Sequence, residues 1–360
     1  LADVRAALDE GPVVTIVGRT GLTEDPSLAE AVAAFARDLP QASVLPIVRR
    51  ANTFGALDMG VAPDLLPGRV AAGDTEHSGW EDANTSVGLD TRGILEAAVD
   101  GRVKAILLVG ADPLRDVPDA ELAAKALDAA DVVISLDCFL TDSSSKADIV
   151  LPALGFAEKE GTVTNLEGRV MKVNRVVAGP GQSRADWSIL DDLASRMGRP
   201  LGFASADAIA MAIAEHAPAY GGITWFLLDW KERDGVVAPR EGVEQPLQYI
   251  PTPTLRAVGS GGATRGGFAL HLGRVLYDDA VLTRHGASIA ELAPGTYAVL
   301  NPADAERIGA NGVVEVDGPR LPLRRDASLA PGTVAIPFNQ PGGPSLGGRT
   351  HVNVAGEKGA

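Results

Sequence analysis

The sequence predicts an α/β fold built on parallel strands, followed by a small β-barrel, and three features carry that prediction. Through the first 200 residues, Val/Ile/Leu-rich strands alternate with Ala-rich amphipathic helices, an order that gives parallel strands covered on both faces. Residues 234–267 then interrupt the pattern with Pro239, Pro246, Pro251, Pro253 and a run of glycines from Gly259 to Gly267, as a linker does. Beyond it, short strands alternate with turns that include Asn311-Gly312 and Asp317-Gly318, the pattern of a small barrel.

Taken in order, "GPVVTIVGRTG" (11–21) reads as a strand and a glycine turn, Pro26 to Leu39 as a helix, and "ASVLPIV" (42–48) as a second strand. Residues 51–90 read as loop, because Gly55, Gly60, Pro63, Pro67, Gly68 and Gly73 break any period. "KAILLVGADP" (104–113) is a buried strand ending at Gly110, residues 118–131 form a helix capped near Pro118, "VVISLDCF" (132–139) is the next strand, and Lys146 to Leu151 a further short one. Asp186 is positioned to cap a helix whose stripe is Trp187, Leu190, Leu193, Ala194 and Met197, ended by Gly198. In the last part, strands are expected at 268–276, 296–300, 313–316 and 333–338, with a helix over "PADAERIGA". The domain division that follows is 1–85 (α/β), 86–200 (α/β), 201–265 (helical segment and linker) and 266–360 (barrel).

Composition narrows the function classes. The chain has 360 residues, 46% hydrophobic and 22% charged, with a net charge of -15. Residues 266–360 hold 8 basic and 9 acidic side chains, which leaves 24 against 38 in residues 1–265. Such an acidic surface repels phosphate backbones, so nucleic acid is not an expected partner. Largely apolar runs such as Ala105–Val109 and Ile223–Leu228 fall far short of the roughly 20 residues of a membrane span. Cys138 is the sole cysteine, which precludes an intrachain disulfide, a CxxC zinc site or a cluster held by several thiolates of this chain. It follows Asp137 at a strand end and reads as a buried, unreactive thiol. His77, His216, His271, His285 and His351 show no paired-ligand spacing, and no protein metal site is expected. The chain begins at Leu1 with no charged-then-apolar leader pattern, and is expected to be a segment of a longer polypeptide.

One stretch stands apart. "ADIVLPALGFAEKEGTVTNLEGRV" (147–170) runs from a strand into a loop and then crowds Glu158, Lys159, Gly161, Asn165, Glu167, Gly168 and Arg169 into twelve positions. It reads as a hairpin with arms Thr162–Thr164 and Val170–Val173 around the turn Asn165-Leu166-Glu167-Gly168, Asn first and Gly last, with Glu158, Lys159 and Arg169 available to fix its base. Gly110-Ala111-Asp112-Pro113 lies where a parallel strand ends, the usual ligand crevice of an open α/β sheet, although a tight turn with Asp112 satisfying backbone donors is the commoner cause of such a sequence. Neither GxGxxG nor GxxxxGK[ST] is present, and Gly18 with Gly21 is a weak signal for a phosphate cradle.

These motifs resemble the molybdopterin oxidoreductase family: Ala147–Pro152, Glu158-Lys159, Gly161-Thr162, Asn165 and Glu167–Arg169 follow its A-D-[IV]-V-L-P…E-K-x-G-T…N-x-E-G-R pattern, "LLVGADPLRDVPD" its strand and loop at the cofactor's nucleotide end, and "LNPADAERIGANGVVEV" its C-terminal barrel. The resemblance implies Rossmann-like parallel-sheet domains and a double-psi β-barrel. Within that family, "RRANTFGALDMGVAPDLLPG", "GLDTRGILEAAVDGRVKAILLVGADPLRDVPD" and "FLTDSSSKADIVLPALGFAEKEGTVTN" are similar to the large iron-sulfur subunits of bacterial NADH:quinone oxidoreductase, respiratory complex I, actinobacterial forms especially. That similarity implies iron-sulfur clusters in an N-terminal part outside this segment, no cofactor and no catalytic residue here, and Gly110, Asp112, Asp137, Lys159, Gly161, Asn165 and Arg169 as vestiges of a cofactor site. It also implies other peripheral-arm subunits as partners and a peripheral position on the cytoplasmic side of the plasma membrane, in a complex that couples electron transfer to proton translocation. The other reading is the C-terminal part of an active molybdopterin enzyme such as a formate dehydrogenase.

Overall fold

A computed structural model of the chain describes residues 8, 11–18, 27–39, 41–48, 50–68, 70–72, 86–241 and 267–356. Of the linker expected at 234–267, residues 242–266 lie outside them, and Val236–Val237 form a short strand instead. Strand β1 (Val13–Val17) pairs in parallel with β2 (Ala42–Pro46), Val13 opposite Ala42, with helix α1 (Ser27–Arg37) between them in sequence. The stretch expected as loop instead contains helix α2 (Thr53–Asp58) and an antiparallel ribbon of β3 (Leu65–Leu66) and β4 (Val70–Ala71). Gly55 misleads because it marks close approach rather than a turn: a Cβ there would stand 2.1 Å from Asn52 Oδ1 and 3.2 Å from the Thr164 amide.

The clearest unit is the parallel sheet β5 (Ala105–Val109), β6 (Val132–Asp137) and β7 (Ile149–Pro152), in that order. Helix α3 (Thr91–Val99) leads into β5, and the short α4 (Pro113–Asp116) and α5 (Ala120–Ala129) connect β5 to β6. Ile106, Leu108 and Val133 pack with Leu95, Ala98, Ala123, Ala126 and Leu127 into one core. Asp119, next to Pro118, is the cap of α5: its carboxylate accepts the Leu122 amide at 3.0 Å. On the other face, Leu136, Ala153 and Ile189 form a smaller core beneath α6 (Asp186–Arg196). The expectation of full cover on both faces fails over β5, where Leu107 and Val109 are each 44% exposed, because α6 reaches only the β6–β7 side.

Two details of α6 also differ from expectation. Its cap residue is Ala185, which makes no side-chain cap bond, and Asp186 stands in the first turn. Ile189 is its buried residue, while Met197 is 75% exposed; the apolar stripe is therefore rotated toward Ile189. Gly198 ends the helix with φ +79°, as read.

Strands β8 (Gly161–Thr164) and β9 (Arg169–Val173) form the expected hairpin, Thr164 opposite Val170, and β10 (Val236–Val237) adds antiparallel to β9. Helix α7 (Ala206–His216) precedes the segment that returns the chain to this sheet. Among the described residues no helix is long and apolar enough to cross a membrane.

The last part is a seven-stranded mixed sheet of β11 (Phe268–Gly273), β12 (Ala298–Leu300), β13 (Val313–Val316), β14 (Arg320–Arg325), β15 (Thr333–Pro337), β16 (His351–Val352) and β17 (Val354–Gly356), ordered β16-β11-β15-β12-β14-β13-β17. Its inward faces supply Phe268, Leu270, Leu300, Val314, Val316 and Val334, each buried. Asp317 (φ +47°) and Gly318 (φ +112°) make the tight turn between β13 and β14. Strand β14 escapes the sequence pattern because Pro322 sits within it, opposite Val313. Helix α8 (Val281–His285) follows β11, and α9 (Pro302–Arg307) starts at Asn301, whose side chain accepts the Ala303 amide. Asp304 of α9 takes Arg307 Nη2 at 2.7 Å and the Gly332 amide at 2.6 Å.

That pair of donors, the guanidinium first, holds the Asp304 carboxyl below its ordinary value. A folded pKa below the unfolded one gives stability that is present above the unfolded value and lost as pH falls through the folded one. Asp304→Asn is therefore expected to lower the barrel's melting temperature at neutral pH and to flatten its loss of stability in acid. An acid limb identical to that of the parent chain would contradict this role.

Candidate functional site

The hairpin is the best-defined piece of the motif. Its turn is closed by one carboxamide: Asn165 Oδ1 accepts the amides of Glu167 (2.9 Å) and Arg169 (3.0 Å), and the Gly168 amide donates to the Asn165 carbonyl at 3.0 Å. Gly168 has φ +81°, so glycine is required there by backbone geometry. Arg169 forks onto Glu167 at 2.8 and 2.9 Å and sends Nη1 to the Gly235 carbonyl at 3.0 Å, while the Ala238 amide donates to the Gly168 carbonyl at 2.9 Å. At the inner end of the turn, the Thr164 amide donates to Asn52 Oδ1 at 2.8 Å, and Thr164 Oγ1 donates at 2.9 Å to Tyr220 Oη, which in turn donates to buried Asp58 at 2.8 Å. The hairpin thus joins α2, the segment around Tyr220 and β10.

The other sequence-predicted residues lie in two further places. Gly110 (φ +57°) donates its amide to the Leu136 carbonyl at 2.8 Å, and the chain then turns Asp112 inward, fully buried. Asp112 Oδ1 accepts both the Ser143 amide (3.1 Å) and hydroxyl (2.5 Å), and Ser143 Oγ accepts the Leu114 amide at 3.0 Å. Asp112 is a clamp between two strand-end loops, with Oδ2 buried and without a partner. Asp137, buried at the end of β6, accepts the Phe139 amide at 3.2 Å. Lys159 is ion-paired with Asp186, tying the hairpin base to α6, and Glu158 accepts the Gly155 amide at 2.8 Å. Gly161 opens β8 opposite Val173. Cys138 is exposed, not buried as expected, because it lies one residue past the strand; desolvation and its neighbour Asp137 push the thiol's pKa up, away from the reactive thiolate.

The α/β portion and the barrel enclose a cleft whose α/β wall comes from the "LLVGADPLRDVPD" motif, while its barrel wall carried no sequence signal. A cavity of about 300 Å³ lies between Leu114, Arg115, Val117, Pro118 and Asp142 on one side and Ile336, Phe338, Asn339, Gln340 and Leu346 on the other. A second, about 340 Å³, is lined by Arg50, Arg274, Asp278 and Thr283. Arg115 bonds Asp142 at 2.6 Å and Asp279 at 2.8 Å, Arg274 bonds Asp278 at 2.8 Å, and Arg284 stands 3.7 Å from Asp142. Hydrogen bonding from Arg115 keeps the Asp142 carboxyl below its usual range. Among the described residues no group of His, Cys, Asp or Glu is arranged to hold a metal ion.

Fold and motif together define the class. Residues 19–196 match the molybdopterin oxidoreductase family, and the chain belongs to that family. It is 31% identical over 303 residues to the NADPH-Fe(3+) oxidoreductase subunit alpha of Geobacter sulfurreducens, covering 83% of this chain and 33% of that protein. It is also 31% identical over 333 residues to the F420-dependent formate dehydrogenase 1 subunit alpha of Methanococcus maripaludis (83% of this chain, 48% of that one). With an NADH-quinone oxidoreductase subunit of Rhizobium meliloti it shares 30% identity over 262 residues, 71% of this chain and 30% of that one. The chain therefore spans a third to a half of these relatives' lengths. Acetylene hydratase from Pelobacter acetylenicus has the same fold over 70% of this chain, with a TM-score of 0.51 at 19% identity.

The family implies a phosphate-bearing pterin cofactor, and an anion entering the described cleft would meet arginines already paired with carboxylates, beside Asn339 Nδ2 and Gln340 Oε1, which are buried without a partner. The two cavities are lined by Arg50, Arg115 and Arg274 and by Asp142 and Asp278, with Arg284, Asp116 and Asp279 paired to members of that set. A phosphate there would compete with the aspartates that hold Arg115 and Arg274.

The hairpin reading has a direct check. Gly168→Val is expected to cost about 1–2 kcal/mol, the cost of an L-residue in the left-handed region, and to lower Tm accordingly. Arg169→Ala, whose carboxylate partner Glu167 is largely exposed, is expected to have the smaller effect. Thermal melts in which Arg169→Ala is the more damaging of the two would contradict the assignment.

Proposed function

We propose that this chain is the molybdopterin-enzyme-like portion of the large subunit of a multisubunit oxidoreductase, and that it serves as scaffold and docking body rather than as a redox centre. The observation that carries this reading is the pairing of Arg115 with Asp142 and Asp279 and of Arg274 with Asp278, which an anionic cofactor in the cleft would have to break. The particular reading is the large iron-sulfur subunit of an NADH:quinone oxidoreductase, in which electrons pass from NADH toward quinone through iron-sulfur clusters outside this segment, coupled to proton translocation. In that setting the partners are other peripheral-arm subunits and the position is peripheral, on the cytoplasmic side of the plasma membrane. Gly110, Asp112, Asp137, Lys159, Gly161, Asn165 and Arg169 then keep structural roles where an ancestral site once used them.

A second reading, part of a formate dehydrogenase, is favoured by the longer alignment to the Methanococcus maripaludis formate dehydrogenase subunit. The two differ in a measurable quantity. The intact complex purified with this chain is expected to contain no molybdenum or tungsten in stoichiometric amount and to oxidise NADH, not formate, with an artificial acceptor. About one Mo or W per chain together with formate oxidation would overturn the scaffold reading in favour of the second.

A further inference from the structure

We propose that the barrel is seated on the α/β portion by a reciprocal charge latch, so that ionic strength, and not apolar burial, governs whether the cleft is closed. Three ion pairs cross between the two parts, and their polarity alternates. Arg115 of the α/β portion reaches barrel Asp279 at 2.8 Å, whereas barrel Arg274 and Arg284 reach back to Asp116 at 4.0 Å and Asp142 at 3.7 Å. Arg274 Nη2 also donates to the Asp116 carbonyl at 3.0 Å, and its guanidinium stacks on Phe338 at 4.7 Å, which fixes its direction. Because each side contributes both signs, no uniform change in net charge strengthens the latch; it depends on register.

The apolar alternative is weak on the same ground. Leu114, Val117 and Pro118 and, from the barrel, Ile336, Phe338 and Leu346 line one cavity of about 300 Å³, space that apolar packing between the two parts does not fill. Among the described residues no helix or strand of the barrel packs extensively along one of the α/β portion; the crossing contacts are made by loops and side chains, among them Phe139 stacked on His285 at 4.1 Å. Each latch pair has one member within reach of water, Arg115 at 32%, Asp116 at 44% and Asp142 at 46% exposed, while Asp279, Arg274 and Arg284 are more buried. Attraction between such groups is screened as the Debye length falls from about 10 Å at 0.1 M salt to about 3 Å at 1 M.

Hydrogen exchange read by mass spectrometry on the chain separates the two possibilities. Raising NaCl from about 0.1 M to about 1 M is expected to speed exchange several-fold in segments 113–119 and 336–346, with β6 and β13 unchanged. Arg115→Asp should show the same opening at low salt by setting three carboxylates together, and Arg115→Asp with Asp279→Arg should reverse it in part. If Arg115→Asp does not fold, Arg284→Gln, which removes a single crossing pair, is read in the same way. Cleft segments whose protection ignores both salt and charge reversal would overturn the proposal, as would a salt effect spread equally through β6 and β13.

Discussion

The α/β portion depends on one side chain at its junction, Thr164. Its amide is held by Asn52 and its hydroxyl by Tyr220, which is itself fixed by buried Asp58. Those bonds join parts of the chain separated by 112 and 56 residues, and the joint is buried, with Thr164 at 1% and Tyr220 at 4% exposure. In such a site an unpaired polar group costs about 1–3 kcal/mol, so each member depends on the others being present. The Asn165 turn sets where Thr164 points; Lys159 with Asp186 and Arg169 with Gly235 then anchor the two ends of the hairpin. A motif dense in glycine and charge is explained without a ligand once every one of these groups has its protein partner.

The same pattern recurs at the strand ends. Asp112 gives one oxygen to Ser143 and so closes the loop after β5 over the loop after β6, which is the place where an open α/β sheet ordinarily receives its ligand. Asp279 and Asp142 do likewise for Arg115. Carboxylates thus stand at points where an anionic cofactor would be in competition with them, and what remains between the domains is a cavity lined by the Arg115–Asp142 pair and by Asn339 and Gln340, each with one buried polar atom without a partner.

Much of this is legible in the sequence, for identifiable reasons. Strands β5 to β7 carry continuous apolar runs, the hairpin carries Asn first and Gly last, and the barrel turn carries Asp317-Gly318; each is a local signal with a local cause. What is not legible depends on distance or on geometry that composition hides. Gly55 in α2 looks like a breaker but is there because Asn52 and Thr164 approach it. Pro322 hides β14, and the face of α6 that is buried depends on where Leu136 and Ala153 lie beneath it. Cys138 reads as buried and is not, because one residue past a strand end separates buried from exposed. Ser143 as the partner of Asp112, and the Arg115–Asp279 pair 164 residues apart, have no signal in a single sequence. The general class, by contrast, is carried by the 147–170 motif, while the choice among family members is not: relatives named for NADPH, formate and NADH chemistry lie within one percentage point of identity.

The claim that one buried joint makes these separate segments a single cooperative unit is tested most directly by a double-mutant cycle on Asn52→Ala and Tyr220→Phe, followed by urea unfolding. Both substitutions act on Thr164, one at its amide and one at its hydroxyl. A shared joint predicts a coupling energy of about 0.5–3 kcal/mol, the range for residues that belong to one network. Effects that add to within about 0.3–0.5 kcal/mol, as for independent sites, would contradict it.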